Sequence, residues 1–256
     1  MLGRRGRAKL IVRRYRRRMS KLSRRQVLAG LGSVSLGALL AACGSDDDGS
    51  ATKVETTEGT TSTVESSGGR GGLASRFDGA ATCTQTTEQT EGPFYFDVDS
   101  IRSDIREDRE GAKLRLGMRV RDAAECRPLA NAVVDIWHCD ATGSYSAGEE
   151  ETYLRGAQVT NADGIVEFTT VYPGGYMGRT VHVHAKVHLD RRTVLTTQFY
   201  FDDAVSARVF GSEPYAADAG REVSNENDGL YDEELALTLS DEGDGYLGLI
   251  TLDVAG

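Results

Sequence analysis

The C-terminal part of this 256-residue chain predicts an all-β fold, an antiparallel β-sandwich with a few short helices, on three observations. Apolar residues recur with a period of two, and Gly- and Asp-rich turns separate the apolar runs. No strand–helix alternation, GxGxxG or phosphate loop occurs, which excludes a nucleotide-binding α/β fold. The first strand is the plainest: Leu114, Leu116, Met118 and Val120 alternate with Arg115, Gly117, Arg119 and Arg121, so one face is wet. Residues 132–139 are apolar on both parities except at Asp135 and His138, which marks a strand buried from both sides. A turn at Asn161-Ala162-Asp163-Gly164 leads into a strand over 165–171, and runs at 181–189, 193–201 and 246–254 complete the set. Only 203–210 and 214–223 read as helical.

Charge and composition set the boundaries. Residues 1–42 hold 12 Lys/Arg and no acid, so the remainder carries 18 bases against 39 acids. That excess excludes nonspecific nucleic-acid binding and docking on anionic lipid through a basic patch. Ser23-Arg24-Arg25-Gln26-Val27-Leu28 reads as a twin-arginine export motif, followed by a small-residue apolar stretch too short to span a bilayer. The stretch ends at Leu40-Ala41-Ala42-Cys43, which resembles a bacterial lipobox, so residues 1–42 are expected to be a signal peptide and Cys43 a lipidated first residue. Met19 would serve as a normal start for such a signal. Localisation follows: export by the twin-arginine route and lipid anchoring at the outer face of the cytoplasmic membrane, or secretion. Residues 43–78 are mainly Ser, Thr, Gly and acids, read as a disordered tether, and 79–256 is the globular domain, large enough to bury a core unaided.

With Cys43 assigned to lipid, Cys83, Cys126 and Cys139 remain. Cys126 and Cys139 enclose a loop returning into a strand, and a disulfide between them would stabilise by about 3 kcal/mol on the chain-entropy model. No Cys-x-x-Cys supports a zinc cluster.

Three of the chain's four histidines fall in His182-Val183-His184-Ala185-Lys186-Val187-His188, on one face of a strand. An unpaired imidazole row costs desolvation without return, so metal binding is the reading. No Glu stands where a cupin would need it after the second His. Asp190 or Asp135 could complete a zinc hydrolase. Glycine-flanked tyrosines stand nearby instead, Tyr145, Tyr172 and Tyr176. Tyrosinate is a hard anionic donor, and two of them with two imidazoles favour Fe(III) over Zn(II) or Cu(I).

The stretch Pro128-Leu129-Ala130-Asn131-Ala132-Val133-Val134-Asp135-Ile136-Trp137-His138-Cys139-Asp140 precedes Gly143-Ser144-Tyr145, Tyr172-Pro173-Gly174-Gly175-Tyr176, Gly178-Arg179-Thr180-Val181-His182-Val183-His184 and Thr197-Gln198-Phe199-Tyr200-Phe201. Together with Glu91-Gly92-Pro93-Phe94-Tyr95, this series resembles the intradiol ring-cleavage dioxygenases, most of all their exported single-domain branch related to protocatechuate 3,4-dioxygenase. The resemblance implies an Fe(III) centre held by Tyr145, Tyr176, His182 and His184, with Arg179 as the active-site arginine and Gln198 beside the substrate. It implies insertion of O2 into a catechol between the two hydroxyl-bearing carbons, giving a muconate-type diacid, with Tyr176 taking up a substrate proton. Tyr172 is then core or support, Trp137 and His138 shape the site floor, and His188 lies about 13 Å from His182 at about 3.3 Å per residue, too far for the same ion. The helical dimerisation segment of catechol 1,2-dioxygenases is not matched, and oligomeric state stays open.

Two other readings stand beside this one. A noncatalytic exported sandwich could bind carbohydrate or aromatic ligands, and a copper or zinc enzyme could use His182, His184 and His188. The loops at 147–155 and 221–234 are expected to set substrate choice, and the acidic segment 218–234 reads as solvated, without a binding role.

Overall fold

The computed structural model describes residues 51–55, 61–65, 73–77, 83–97, 100–148, 151–190, 192–218 and 223–255. The signal peptide expected over 1–42, the alternative start at Met19 and the lipid site Cys43 lie outside the described residues. Among the described residues no helix is long and apolar enough to cross a membrane.

The segment read as tether contains an antiparallel strand pair, β1 (Ala51–Glu55) with β2 (Thr61–Glu65), and a short helix α1 (Leu73–Arg76). The strands that follow are β3 (Lys113–Asp122), β4 (Val133–Trp137), β5 (Arg155–Val159), β6 (Ile165–Val171), β7 (His182–Leu189), β8 (Arg192–Tyr200), β9 (Thr238–Asp241) and β10 (Gly245–Val254). They form two four-stranded sheets, ordered β6-β3-β10-β9 and β5-β4-β7-β8. The fold is the expected all-β sandwich, with one departure: β10 pairs with β3 in parallel, while the other pairings within the two sheets are antiparallel. Helical structure is scant. α2 (Asp203–Val209) is capped by Asp202, whose carboxylate accepts the Val205 N–H, and the helix expected over 214–223 is a 3-10 turn at Tyr215–Asp218.

The period of two decides which side chains meet between the sheets. Leu114, Leu116, Met118 and Val120 of β3 share one buried cluster with Val134 and Ile136 of β4, Val183, Ala185 and Val187 of β7 and Phe199 of β8. Each of these side chains larger than alanine contributes about 1.5–3 kcal/mol on burial. With the odd-numbered residues of β7 turned inward, His182, His184, Lys186 and His188 must point out of the sandwich, as must Asp135 and Trp137 from β4. The same arithmetic sends Gln198 and Tyr200 outward from β8.

Two boundary expectations change. Leu73 and Phe77 pack on the outer face of the first sheet with Ile165, Leu247 and Leu249, so folded structure begins before residue 79. Bare Gly117 admits them, since a Cβ there would stand 2.9 Å from Leu73 Cδ2. The disulfide expected between Cys126 and Cys139 is instead Cys83–Cys126, with Cys139 free and buried. β4 carries the chain away from the Cys126 turn for five residues, about 16 Å at about 3.3 Å each, beyond disulfide reach. Cys139 then turns outward beside Trp137 and Tyr145, its thiol 3.4 Å from the Gly174 carbonyl.

Candidate active site

Side chains that point out of a sheet are ordinarily wet, but those of β4 and β7 are roofed by residues 83–97. This strap is fixed at its start by the Cys83–Cys126 disulfide, then by Thr86 N–H to Asp253 O (2.9 Å) and Gln89 N–H to Thr196 O (2.8 Å). Gly92 passes directly over His184 with φ +74°, and a Cβ there would stand 3.1 Å from the imidazole Cε1. Phe94 stacks on Tyr145 at 4.5 Å, Tyr95 tilts against Trp137 at 4.8 Å, and Glu91 pairs with Lys186 at 2.5 Å. His182, His184 and Lys186 are consequently only 3%, 4% and 8% exposed.

Beneath the strap three donor atoms converge. Tyr145 Oη lies 3.3 Å from His182 Nε2, which lies 3.2 Å from His184 Nε2. His182 Nδ1 is 2.7 Å from Thr180 O; donation to that carbonyl puts the ring proton on Nδ1 and leaves a lone pair on Nε2. His184 stacks on Trp137 with ring centroids 5.0 Å apart and planes 7° from parallel, and its Nδ1, like Trp137 Nε1, is buried without a hydrogen-bond partner. Tyr176 stands edge-on to Tyr145 at 5.1 Å between centroids.

Both tyrosines are held by crossed loops. The Asp140 carboxylate accepts the Thr142 and Ser144 N–H groups, closing the turn that presents Tyr145. A Cβ on Gly143 would run into the Gly175 carbonyl, so the Tyr145 loop and the Tyr176 loop touch only because glycine stands there. Tyr176 itself sits at a tight turn, its carbonyl accepting the Arg179 N–H at 2.9 Å.

Burial governs the electrostatics. It pushes the Tyr145 phenol well above its ordinary range, with Cys139 and Tyr176 adding to the rise. It pushes His182 down to about 4 and His184 well below the usual imidazole range. The imidazoles are therefore neutral with lone pairs free, while ionising the phenol requires a positive charge close by. Donor atoms 3.2–3.3 Å apart suit ligands sharing one ion at bonds of about 2.0–2.2 Å. The donor chemistry, neutral nitrogen with phenolic oxygen, fits a hard, highly charged ion such as Fe(III). Among the described residues no three His, Cys, Asp or Glu side chains gather as a metal cluster.

The other expected residues fall as follows. Arg179 Nη2 donates to Gln198 Oε1 at 2.8 Å, and Gln198 Nε2 donates to Thr90 O at 2.9 Å, so both stand at the strap's edge beside the donor cluster. Tyr172 is core, its hydroxyl 2.8 Å from Ser206 Oγ. His138 faces the opposite side of β4 from Trp137, its Nε2 2.8 Å from Thr170 Oγ1, so Trp137 alone forms the floor. His188 lies 3.1 Å from Thr193 Oγ1, away from the cluster. Sequence reasoning did not single out Phe94, Tyr95, Asp135, Arg155 or Lys186 as a group. Asp135 is pushed up to about 7 by burial first and the Asp97 carboxylate second, and Lys186 Nζ stands 3.4 Å from the Tyr95 ring centroid. Buried Arg155 spans Ser146 and the Phe96 ring, with Nη1 unsatisfied.

A solved intradiol ring-cleavage dioxygenase from Tetranychus urticae is 32% identical, with a TM-score of 0.63 over 68% of this chain and 95% of that one. The chain belongs to the intradiol ring-cleavage dioxygenase family. Another solved family member, the dioxygenase domain of a dioxygenase–carbohydrate-binding fusion from Streptomyces sp. SirexAA-E, is 33% identical with a TM-score of 0.54, covering 67% of this chain and 100% of that one. A family model described as Dioxygenase matches residues 90–212, from the strap to just past α2. The chlorocatechol 1,2-dioxygenase of Rhodococcus opacus is 28% identical over 46% of this chain and 56% of its own length. The chain spans about half the length of the curated relatives it matches.

Proposed function

We propose that this intradiol family member is an Fe(III)-dependent dioxygenase that adds both atoms of O2 to a catechol and opens the ring between its two hydroxyl-bearing carbons. The reaction balances without a further reductant: one catechol and one O2 give one muconate-type diacid that retains every atom of both. The single observation that carries the reading is the convergence on His182 Nε2 of Tyr145 Oη at 3.3 Å and His184 Nε2 at 3.2 Å, all three side chains buried under the strap. Relatives named catechol and chlorocatechol 1,2-dioxygenase support the substrate class.

Tyr145, Tyr176, His182 and His184 would hold the iron. Bound Fe(III) supplies the charge that ionises phenols and the electronic link between catechol and O2. The chain supplies the rest. His182 is locked in the required tautomer by Thr180 O, and His184 is held flat between Gly92 and Trp137. Tyr176, half-buried on a turn next to exposed Met177, can swing away and accept a catechol proton at its Oη. Phe94 and Trp137 flank the space with apolar surface and keep bulk water out. Arg179 brings a fixed positive charge to the side on which substrate charge develops. The twin-arginine motif and Cys43 support export and lipid anchoring, which would place the enzyme where catechols arise outside the cell.

Incubation of the iron-loaded protein with catechol under 18O2 tests the activity. The expected product is the diacid carrying two 18O atoms. Retention of unaltered catechol, with affinity but no oxygen uptake, would favour the noncatalytic binding sandwich.

A further inference from the structure

The acidic loop that the sequence presents as solvated carries one carboxylate that is not. Asp228 lies beyond the segment matched to the family model, which ends at residue 212, and its side chain is 2% exposed. Its Oδ2 accepts Arg179 Nε at 2.8 Å and the Thr180 N–H at 2.8 Å, while Oδ1 accepts the Leu230 N–H at 2.9 Å. Burial alone would raise this carboxyl. The Leu230 and Thr180 N–H bonds and the Arg179 guanidinium outweigh burial and hold it below the usual range, so it stays charged.

The loop is itself tied down on the site side. Thr180 Oγ1 donates to Asn225 Oδ1 at 2.6 Å, and Asn225 Nδ2 donates to Phe201 O at 2.8 Å. Leu230 O accepts Gln89 Nε2 at 2.8 Å and the Tyr200 hydroxyl at 2.7 Å, which joins the loop to the strap. Arg179 is thereby held at Nε by Asp228 and at Nη2 by Gln198 and, at 3.4 Å, by the Tyr200 hydroxyl, and Nη1 has no hydrogen-bond partner among the described residues. A guanidinium is a rigid planar fork, so fixing two of its nitrogens fixes the direction of the third.

We infer that Asp228 is a positioning residue for the ring-cleavage reaction: it holds Arg179 so that the unengaged Nη1 faces the substrate. This rests on the dioxygenase reading given above. It also makes the loop around 225–231 a working part of the site. Charge stabilisation by a donor depends on its being aimed before charge develops, so a loose arginine binds substrate nearly as well but catalyses worse.

The test uses the iron-loaded full chain and compares wild type, Asp228→Asn, Arg179→Gln and the double variant. Iron content, the resting visible spectrum, the dissociation constant of 4-nitrocatechol and kcat for catechol are measured for each. Asp228→Asn is expected to lower kcat by about tenfold or more, with iron content and 4-nitrocatechol affinity within about twofold of wild type. In the Arg179→Gln background the same change should add little, because its target is gone. Unchanged kcat in Asp228→Asn, or an equal further loss in the double variant, would overturn the inference. If Asp228→Asn does not fold, Arg179→Lys carries the test. Lysine keeps the charge but cannot bond Asp228 and Gln198 as a fork, so the same kcat loss is expected and full activity would overturn the idea. Wild-type protein that holds iron yet does not open the ring would defeat the dioxygenase reading itself and the inference with it.

Discussion

The outer faces of the two sheets begin from the same strand period and end differently. On the β6-β3-β10-β9 sheet, Arg115 points outward and bridges Glu167 (2.7 Å) and Glu242 (2.6 Å) at the surface. On the β5-β4-β7-β8 sheet, His182, His184 and Lys186 also point outward yet are nearly inaccessible. The difference is the strap over 83–97, which turns a solvated face into a buried polar cluster. In such a place an imidazole gives up its proton, a phenol keeps its own, and only a cation can reverse the second effect. Polar side chains on a wet face are surface; the same chemistry under a roof becomes a reactive site.

That contrast can be broken most severely at the donors. His184→Ala should abolish iron retention and lower turnover by at least about a thousandfold, about 4 kcal/mol of barrier, while the fold persists. Metal analysis beside circular dichroism reads both. Gly92→Ala attacks the roof: positive φ and a methyl at 3.1 Å from His184 should lower stability by about 1–3 kcal/mol and weaken iron binding, seen as an earlier thermal midpoint and faster loss of iron to a chelator.

A pH series sharpens the contrast further. Asp135 is held protonated in the folded state up to about 7, whereas an unfolded aspartate releases its proton near 3.9. The folded state then binds the Asp135 proton over that interval, so the Asp135 contribution to stability falls as pH rises from about 4 to about 7, while the buried neutral His138 and His182, each pushed down to about 4, contribute in the opposite direction below about 6.5. Asp135→Asn removes only the falling contribution, so the thermal midpoint of the variant should gain on that of the wild type as pH rises from about 4 to about 7, and an unchanged difference across that range would contradict the assignment. The smallest effect belongs to the surface ion pairs of the other sheet, where Arg115→Ala should cost no more than about 1 kcal/mol and leave kcat unchanged.

Much of this was legible in the sequence because it depends on local pattern. β6 lies over the residues expected, and the histidine spacing places its side chains on one face of β7 through the strand period alone. β5 was not legible: Arg-Gly-Ala-Gln-Val shows no apolar alternation because Gly156 sits beneath Ile105 and Arg102, and a Cβ there would stand 2.8 Å from Ile105. The parallel pairing of β10 with β3 joins segments more than a hundred residues apart, and no local signal encodes such a partner. The disulfide went astray for the same reason, since Cys83 reaches Cys126 across 43 residues by way of the strap. At the site, spacing indicates which side chains face outward but not what covers them. Asp228 looked like one acid among many because its burial depends on contacts from Arg179 and Thr180, 49 and 48 residues away.

The most direct test of the central claim is a visible spectrum of the purified protein with total iron, recorded before and after anaerobic addition of catechol, alongside Tyr145→Phe. About one iron per chain is expected, with a red-brown band from tyrosinate-to-Fe(III) charge transfer that shifts when catechol binds and weakens in Tyr145→Phe. A colourless protein that takes up neither iron nor catechol would contradict it.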